Sequence, residues 1–289
     1  MRVMILGAGG MLGHDLIALA PQGARIFPFT RTDLDITLST ALATAVADVR
    51  PAVIINAAAY TAVDRAESDA ELCFRVNADA VMDLGRIAAR KNVRVVHFST
   101  DHVFDGTATE AYTEESSPNP VNTYGASKLA GERALRASGA KFVIIRTQWL
   151  FGVWGKCFPR VMWERARAGT PSRVVTDQVG RPTYGVDLAR AAWKVVASHV
   201  DGVLHVANAG IATWFDVAKR VYSACHSEHL LKPCSTGQFP TVARRPALSV
   251  LSTVRFEQAL GGPLPTWESG IEQFLAQVHS SECASPTAR

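Results

Sequence analysis

The chain has 289 residues, of which 48 % are hydrophobic and 19 % charged, with a formal net charge of +4. These values predict a globular protein in one domain or two unequal lobes, and the mild charge gives no indication of nucleic-acid binding. The five cysteines are scattered without a C-x-x-C pair, which excludes a recognisable disulfide framework or cysteine metal site.

Predicted strands and helices alternate along the chain. Strands are predicted at 2–6, 25–29, 53–56, 93–99, 142–147 and 203–206. Helices are predicted near 11–20, 38–49, 67–90, 124–138, 156–168, 186–200 and 213–225. This alternation predicts an α/β fold with a doubly wound parallel sheet of the Rossmann type.

A glycine-rich turn, residues 7–13, follows the first predicted strand. Gly7 permits a tight turn, Gly10 lets the backbone approach a pyrophosphate, and Gly13 lets the helix pack closely on the strand. The free N–H groups and positive dipole end of that helix would face the phosphates. The strand–turn–helix context predicts a dinucleotide site, and a βα turn without a ligand is the alternative.

The turn after the second predicted strand bears on the choice of dinucleotide. An acid there normally binds the adenosine ribose of NAD, whereas a nearby arginine accommodates the 2′-phosphate of NADP. This chain has Thr30 and Arg31 at that turn. The pair favours NADPH and leaves NADH open, although a solvated loop charge explains Arg31 equally well on sequence alone.

A polar group follows the strand predicted at 93–99. Ligands of open α/β sheets bind beyond the carboxyl ends of the strands, where Thr100 and Asp101 stand. A hydroxyl there can hydrogen-bond a carbonyl oxygen that is being reduced. A turn or cap role is the commoner explanation of such a residue by itself.

Tyr124 and Lys128 lie four residues apart on one face of a predicted helix. A nearby ammonium favours the phenolate and is expected to lower the tyrosine pKa from its usual value of about 10. Tyr124 would then be a usable proton donor at neutral pH. The spacing alone is a weak indication, and the glycine turn and the polar strand end give it weight.

After Thr147 the pattern loosens, and Pro and Gly become frequent at 169–185 and 233–265. These stretches are expected to form a smaller lobe over the carboxyl edge of the sheet. Residues 280–289 are small and polar and are predicted to be a frayed tail. No signal peptide or apolar run of membrane-spanning length is recognised, so a cytoplasmic location is expected.

Several segments together resemble a known family. The spaced glycines with Tyr-x-x-x-Lys are similar to the short-chain dehydrogenase/reductase superfamily. Longer segments resemble dTDP-4-dehydrorhamnose reductases, and the similarity covers about residues 1–278. These segments are 34–37, 56–67, 99–106, 124–132, 177–183 and 245–249.

The resemblance implies that NAD(P)H reduces the C4 keto group of dTDP-4-dehydro-6-deoxy-L-mannose to give dTDP-L-rhamnose. It implies that Tyr124 protonates the alkoxide, that Lys128 also holds the nicotinamide ribose, and that Thr100 hydrogen-bonds the same oxygen. The substrate contacts implied are Thr100, Asp101, Phe104 and Trp149. The cofactor contacts implied are Gly7, Gly10, Met11, Leu12, Gly13, Arg31, Asp35, Ile36, Ala57, Ala58, Ala59, Thr61, Tyr124 and Lys128.

The resemblance also implies two discontinuous lobes. Residues 1–150 with about 186–206 would bind the dinucleotide, and about 151–185 with 207–279 would bind the substrate. His102 replaces a tyrosine common in the family, and it is either a titrating group or a neutral wall residue. Some relatives hold Mg²⁺ through glutamates at a dimer interface. Asp15 falls near one such position, but a single acid does not predict a metal, and a homodimer stays open.

Two alternatives to this function remain. One is a reductase of another nucleotide-linked 4-keto-6-deoxy sugar. The other is a non-catalytic NADP-binding subunit similar to the regulatory subunit of methionine adenosyltransferase. The presence of Tyr124, Lys128 and Thr100 weighs against a pure binding protein, because such a protein needs no proton donor. The nucleotide base and the stereochemistry at C4 are not indicated.

Overall fold

A computed structural model describes the backbone of residues 1–283 and the side chains of residues 1–280. The strands are β1 (Arg2–Leu6), β2 (Arg25–Phe29), β3 (Val53–Asn56), β4 (Arg94–Thr100), β5 (Phe142–Thr147), β6 (Leu150–Phe151), β7 (Ser172–Val175), β8 (Val179–Gly180), β9 (Thr183–Tyr184), β10 (Gly202–His205), β11 (Ala212–Thr213) and β12 (Leu231–Cys234). The α-helices are α1 (Met11–Ala18), α2 (Ser39–Val49), α3 (Val63–Ala66), α4 (Ala70–Phe74), α5 (Ala80–Lys91), α6 (Thr123–Ala137), α7 (Phe158–Arg167), α8 (Gly185–Ala197), α9 (Trp214–Ala224), α10 (Val254–Leu260) and α11 (Trp267–Cys283).

Six strands form a central sheet in the order β10-β5-β4-β3-β1-β2, and every neighbouring pair is parallel. The strand order reverses between β1 and β3. In open α/β sheets, ligands bind beyond the carboxyl ends of the strands at such a switch point. The topology of the sheet therefore predicts a ligand site at the residues that follow β1, β3 and β4. The predicted fold class is confirmed.

Each face of the sheet is covered by helices, as the apolar composition of the strands requires. On one face, Leu16 of α1 and Leu188 of α8 belong to one buried cluster. On the other face, Leu42 of α2 and Leu84 of α5 belong to a second cluster. A third cluster lies apart from the sheet and joins α7, α9 and α11.

The predicted helix at 67–90 is wrong as a continuous α-helix. It contains α4, a π-helical turn at Arg75–Asp79, and α5. The side chain of Asn77 in this turn bonds both the N–H and the carbonyl of Tyr60, at 2.9 and 3.0 Å. A Cβ on Gly131 of α6 would clash with the Asn77 carbonyl oxygen. The π turn therefore serves tertiary contacts that local periodicity does not show.

The later part of the chain holds elements that were not predicted. Helices α10 and α11 and the short strand pairs β7–β12 and β8–β11 are absent from the predicted set. Helix α11 continues to Cys283, so the first four residues of the predicted frayed tail are helical, and 284–289 lie outside the described residues.

The proposed lobe division stays a prediction. Helix α8 and strand β10 return to the sheet, as that division expects. Phe256 of α10 instead packs in the first sheet cluster, although the division places it in the smaller lobe. Within the described residues, no helix is both long and apolar enough to cross a membrane.

Candidate functional site

The glycine turn connects β1 to the amino terminus of α1. Gly7 has a left-handed φ of +78°, and a Cβ there would lie 2.5 Å from the backbone nitrogen of Ala58. A Cβ on Gly13 would clash with the Gly7 carbonyl oxygen. Gly10 is the exposed N-cap residue of α1, and it has no side chain to cover the amino terminus of the helix. Met11 and Leu12 follow in the first turn of α1. The exposed backbone around Gly10, at the amino terminus of the helix, fits a dinucleotide pyrophosphate.

The turn after β2 lies against the glycine turn. The N–H groups of Gly7 and Ala8 both donate to the Phe29 carbonyl at 3.0 Å. A Cβ on Gly9 would lie 3.4 Å from Cγ2 of Thr30, and Arg31, which follows Thr30, is exposed. Arg31 is therefore on the surface next to the proposed dinucleotide site, where an NADP 2′-phosphate could reach it.

The remaining predicted cofactor residues separate into two groups. Ala57, Ala58 and Ala59 follow β3 and are partly exposed, and Ala58 contacts the glycine turn. Thr61 is exposed beyond them. Asp35 accepts from the N–H and hydroxyl of Thr37 at 2.9 and 2.7 Å, and Ile36 is buried in the second sheet cluster. In this structure, Asp35 therefore holds its own turn through Thr37, and Ile36 packs in the core.

Thr100 ends β4 and lies at the centre of a hydrogen-bond network. Its hydroxyl donates to Asp101 Oδ1 at 3.0 Å and accepts from the His102 N–H at 3.2 Å. The hydroxyl is also close enough to Tyr124 to influence the pKa of that phenol. Asp101 is 2 % exposed. Its Oδ2 atom has no hydrogen-bond partner among the described residues. A buried, unpaired carboxylate oxygen is costly, and a ligand hydroxyl would satisfy it.

Tyr124 and Lys128 lie on α6, but they face different surroundings. Burial raises the pKa of Tyr124 well above its usual value of 10.0. The Lys128 ammonium donates to the Phe98 carbonyl at 2.6 Å, and burial lowers its pKa to about 8. The expected lowering of the tyrosine pKa by Lys128 is therefore absent in this structure, because burial disfavours both charged forms.

A cavity of about 360 Å³ opens beside this network. Its aromatic wall consists of Trp149, Phe158 and Trp214, and the two indoles stack at 3.7 Å between ring centroids. Trp149 has a left-handed φ of 48°. A Cβ on Gly180 would lie 2.6 Å from the Trp149 ring, so glycine is needed there for this ring position. An aromatic wall of this kind suits the apolar face of a sugar or a base.

Polar side chains also line the cavity, among them Asp101, His102, Arg173, Gln178, Arg245 and Ser249. Arg245 pairs with Asp64 at 2.9 Å, and its Nη1 atom has no partner among the described residues. Arg173 is exposed at the cavity. Guanidinium groups bind phosphate oxygens in a bidentate manner, so the two arginines could hold a diphosphate.

The cavity does not include Phe104. This residue is fully buried and stacks on Tyr112 with ring centroids 4.2 Å apart, in a cluster with Val103 and Leu129. The structure thus places it in the core and not with the predicted sugar contacts. The predicted residues Thr100, Asp101 and Trp149 do come together at the cavity and its adjoining network.

His102 forms part of the cavity wall as a neutral ring. Burial lowers its pKa below the usual 6.5. Its Nδ1 atom lies 2.9 Å from Nδ2 of Asn122, and its ring meets the Tyr124 ring edge-on at 5.5 Å. Of the two interpretations of His102, these contacts favour the neutral wall residue.

Sequence reasoning missed several cavity residues. Gln178, Arg245 and Ser249 lie in segments whose family resemblance was noted, but no role was assigned to them. Arg173 and Trp214 lie outside those segments and had no local signal. Trp214 begins α9, after the cap residue Thr213, and reaches Trp149 only through the tertiary fold.

No group of three or more His, Cys, Asp or Glu side chains that could hold a metal ion occurs in the described part of the chain. Asp15, the acid considered for Mg²⁺, is 4 % exposed. Burial raises its pKa to about 6. Interaction with Trp154 opposes this rise in the Asp15 pKa.

Comparison with known proteins gives concordant matches. The family model described as the RmlD substrate binding domain matches residues 1–280. A dTDP-4-dehydrorhamnose reductase of Burkholderia thailandensis is 35 % identical, with 94 % of this chain and 97 % of that protein covered. A Streptomyces antibioticus protein, described as a probable dTDP-4,6-dihydroxy-2-methyloxan-3-one 4-ketoreductase, is 37 % identical, with 100 % and 99 % covered. The crystal structure of the Bacillus anthracis dTDP-4-dehydrorhamnose reductase in complex with NADP has a TM-score of 0.91 at 36 % identity, with 96 % and 99 % covered.

Proposed function

The chain belongs to the dTDP-4-dehydrorhamnose reductase family, and on that premise we propose that it reduces the C4 keto group of dTDP-4-dehydro-6-deoxy-L-mannose to dTDP-L-rhamnose. The observation that carries the proposal is the hydrogen-bonded pair Thr100–Asp101, with Tyr124 close to Thr100, beside a cavity with an aromatic wall and two arginines. This arrangement combines a proton donor, an acceptor for sugar hydroxyls and cations for a diphosphate.

Each side chain has a separate task in this proposal. Tyr124 gives its proton to the alkoxide that forms at C4, and the Thr100 hydroxyl hydrogen-bonds the same oxygen. Asp101 accepts from a sugar hydroxyl through its unpaired Oδ2. Trp149 packs on the sugar ring, and Arg173 and Arg245 bind the diphosphate. The neutral form of Tyr124, which its raised pKa favours, is the form that a proton donor needs.

NADPH is the proposed cofactor, and when bound it supplies the hydride for C4. The backbone at Gly10 and the first turn of α1 would hold its pyrophosphate. Arg31 would bind the 2′-phosphate, and Lys128 the nicotinamide ribose. The B. anthracis relative crystallised with NADP supports this choice.

A second function deserves a test because of the Streptomyces antibioticus relative, which is described as acting on a different dTDP-linked keto sugar. Both candidates are 4-ketoreductases and would use the same proton donor. The non-catalytic alternative fits less well, since Tyr124 lies close to Thr100 beside the cavity, where a proton donor is needed.

Turnover of the purified protein tests these candidates. The protein would be given dTDP-4-keto-6-deoxy-L-mannose or a 2,6-dideoxy analogue, with NADPH or NADH, and the product would be identified by NMR. We expect the highest kcat/KM with the 6-deoxy-L-mannose substrate and NADPH. Tyr124→Phe is the control and should lower kcat by roughly 10²–10⁴ while NADPH still binds. Higher kcat/KM with the dideoxy analogue would favour the second function, and no turnover with either sugar would contradict both.

A further inference from the structure

Behind the site, a chain of buried polar side chains leads from the end of β3 to Lys128. Asn56 Nδ2 lies 3.1 Å from Nδ1 of His97, and His97 Nε2 lies 3.3 Å from Nζ of Lys128. The three side chains are at most 2 % exposed. Buried polar groups must pair donor with acceptor, so the position of each proton in this chain has an energetic consequence.

The amide of Asn56 fixes the first proton. Its Oδ1 atom accepts from the N–H of Ala58 at 3.2 Å, so the NH₂ group faces His97. Nδ1 of His97 must then be an acceptor. Burial and the nearby Lys128 charge hold the pKa of His97 well below 6.5, so the ring is neutral and carries its single proton on Nε2. That proton points toward Nζ of Lys128.

We propose, building on the reductase function proposed above, that Asn56 and His97 are positioning residues that favour the uncharged amine of Lys128. In the amine form, the lone pair of Nζ accepts from His97 Nε2–H, and one N–H donates to the Phe98 carbonyl. In the ammonium form, two donors face each other across the Nε2–Nζ contact unless the Asn56 amide turns over. Turning over would place its NH₂ against the Ala58 N–H and lose that hydrogen bond.

Apart from His97, the ionisable groups around Lys128 are on two elements. Tyr124 and Glu132 share α6 with it, and Cys73 lies on α4. Glu132 favours the ammonium, but its carboxylate is already held by Arg146 at 2.7 and 2.9 Å. Burial is the main cause of the lowered pKa of Lys128, which is about 8. The imidazole proton acts in the same direction as burial and provides the partner that a buried amine needs.

This arrangement has a consequence for catalysis. A lysine that exchanges its proton near neutral pH is a more effective proton source than one with a pKa of 10.5, because proton transfer is most efficient near the working pH. After Tyr124 has given its proton to the sugar, we expect Lys128, four residues away on α6, to supply the replacement proton. His97 would stabilise the amine that remains.

Nitrogen-15 NMR of the histidine-labelled protein without substrate tests the proton positions. His97→Gln identifies the His97 signals by difference. His205 is an internal reference, because its Nδ1 faces the Tyr112 carbonyl at 3.1 Å and must carry the proton. At pH 9, above the pKa of Lys128, we expect His97 to be protonated on Nε2 and His205 on Nδ1. Protonation of His97 on Nδ1 would overturn the proposal. If His97→Gln did not fold, the ring signals of the original protein would be assigned to His97 through their NMR connectivities to its backbone.

Asn56→Asp tests the role of the amide. A carboxylate has no N–H and would accept from Nδ1–H, so the His97 proton should move to Nδ1 and Nε2 should become an acceptor for the ammonium. The limb of the kcat–pH profile that reports Lys128 should then move upward by about one pH unit or more.

Asn122→Asp is a matched control, since it makes the same change beside Nδ1 of His102 and should leave the His97 signals unchanged. An Nε2 proton retained in Asn56→Asp would contradict the proposal. Failure of the sugar to turn over would count only against the proposed function, because the NMR signals need no substrate.

Discussion

At the residue scale, the pKa shifts at the site describe a pocket that disfavours charge. Burial raises the pKa of Tyr124 and lowers the pKa values of Lys128 and His102. Desolvation acts on each group by penalising its charged form, whichever sign that form has. Tyr124 and His102 are therefore both neutral in this structure. A negative charge developing on the substrate oxygen would meet hydrogen-bond donors in a poorly hydrated environment, where they are most effective.

Thr100 and Asp101 are adjacent in sequence, but their substitutions should affect different kinetic parameters. Thr100→Val keeps the shape and deletes the hydroxyl, which bonds the developing alkoxide more strongly than the ground-state carbonyl. Its loss should therefore appear mainly in kcat, by roughly 10- to 150-fold, as expected for a hydrogen bond to a charged group worth about 1.5–3 kcal/mol. Asp101→Asn removes the charge but keeps one acceptor, so KM for the sugar should rise more than kcat falls.

Steady-state kinetics of both variants with saturating NADPH would separate these effects. Ser249→Ala is a useful comparison, because it removes another hydroxyl from the cavity wall without touching the Tyr124 network. If Thr100→Val changed only the cofactor KM, the end of β4 would not face the carbonyl, and the proposed position of the sugar would be wrong.

At the element scale, the strands that lead to the proposed cofactor site were predictable because they are short and rich in apolar residues. All four residues of β3 are buried, and the predicted bounds match the observed ones. Helix α11 was missed although Ile271, Phe274 and Val278 are buried at helical spacing. The sequence before it, at 233–265, is rich in Pro and Gly, and no helix or strand was predicted after residue 225. The π turn at Asn77 could not be predicted, since its cause is a pair of bonds to Tyr60.

The turn between β2 and α2 should control the choice of cofactor. Arg31→Ala removes the cation beside the glycine turn and should raise KM for NADPH by roughly tenfold or more, if the lost charge-assisted bond is worth about 1.5–3 kcal/mol. The KM for NADH, which has no 2′-phosphate, should change little. Arg90→Ala, an exposed arginine on α5, makes the same change in net charge away from the site and serves as the control. Equal losses with both cofactors in Arg31→Ala would mean that Arg31 does not bind the phosphate.

The amino terminus of α9 should contribute to the stability of the fold, and it also carries a residue of the cavity wall. Thr213 and Asp216 form a capping box: Thr213 Oγ1 accepts from the Asp216 N–H at 3.1 Å, and Asp216 Oδ2 accepts from the Thr213 N–H at 2.8 Å. Trp214, at the next position, stacks on Trp149. Thr213→Ala should lower the free energy of unfolding by about 1 kcal/mol. Urea unfolding would measure this, with the exposed Ser223→Ala on the same helix as control. An equal, small effect of both substitutions would show that the cap contributes little.

At the scale of the whole molecule, the cavity combines segments that are far apart in sequence. Trp149 follows β5, Arg173 is in β7, Trp214 begins α9 and Arg245 lies in the loop before α10. Only the first of these was a predicted contact, and it came from family resemblance. Its ring position depends on a left-handed backbone and on the missing Cβ of Gly180, which no local pattern reveals. The glycine turn and the Thr30–Arg31 turn directly follow predicted strands, so the sequence by itself indicates this part of the proposed cofactor site.

The stability of the whole fold should depend on the ionisation of Asp15. Burial raises the pKa of this carboxyl from 3.8 to about 6, and its Oδ2 atom has no partner among the described residues. Between these two values the folded protein binds more protons than the unfolded chain, so the free energy of unfolding should fall as the pH rises through this window. The loss should reach about 3 kcal/mol above pH 6, at 1.36 kcal/mol for each pKa unit.

Asp15→Asn removes this ionisation while keeping the size of the side chain. We expect the variant to be more stable than the original protein at pH 7.5, by up to about 3 kcal/mol, and nearly equal to it at pH 4, where Asp15 is protonated in the folded state. Urea unfolding at several pH values would measure the difference. Asp48→Asn, an exposed acid on α2, is the control and should change stability little at either pH. A variant that lost stability at pH 7.5 would contradict the prediction that the charged form of Asp15 is unfavourable in the folded protein.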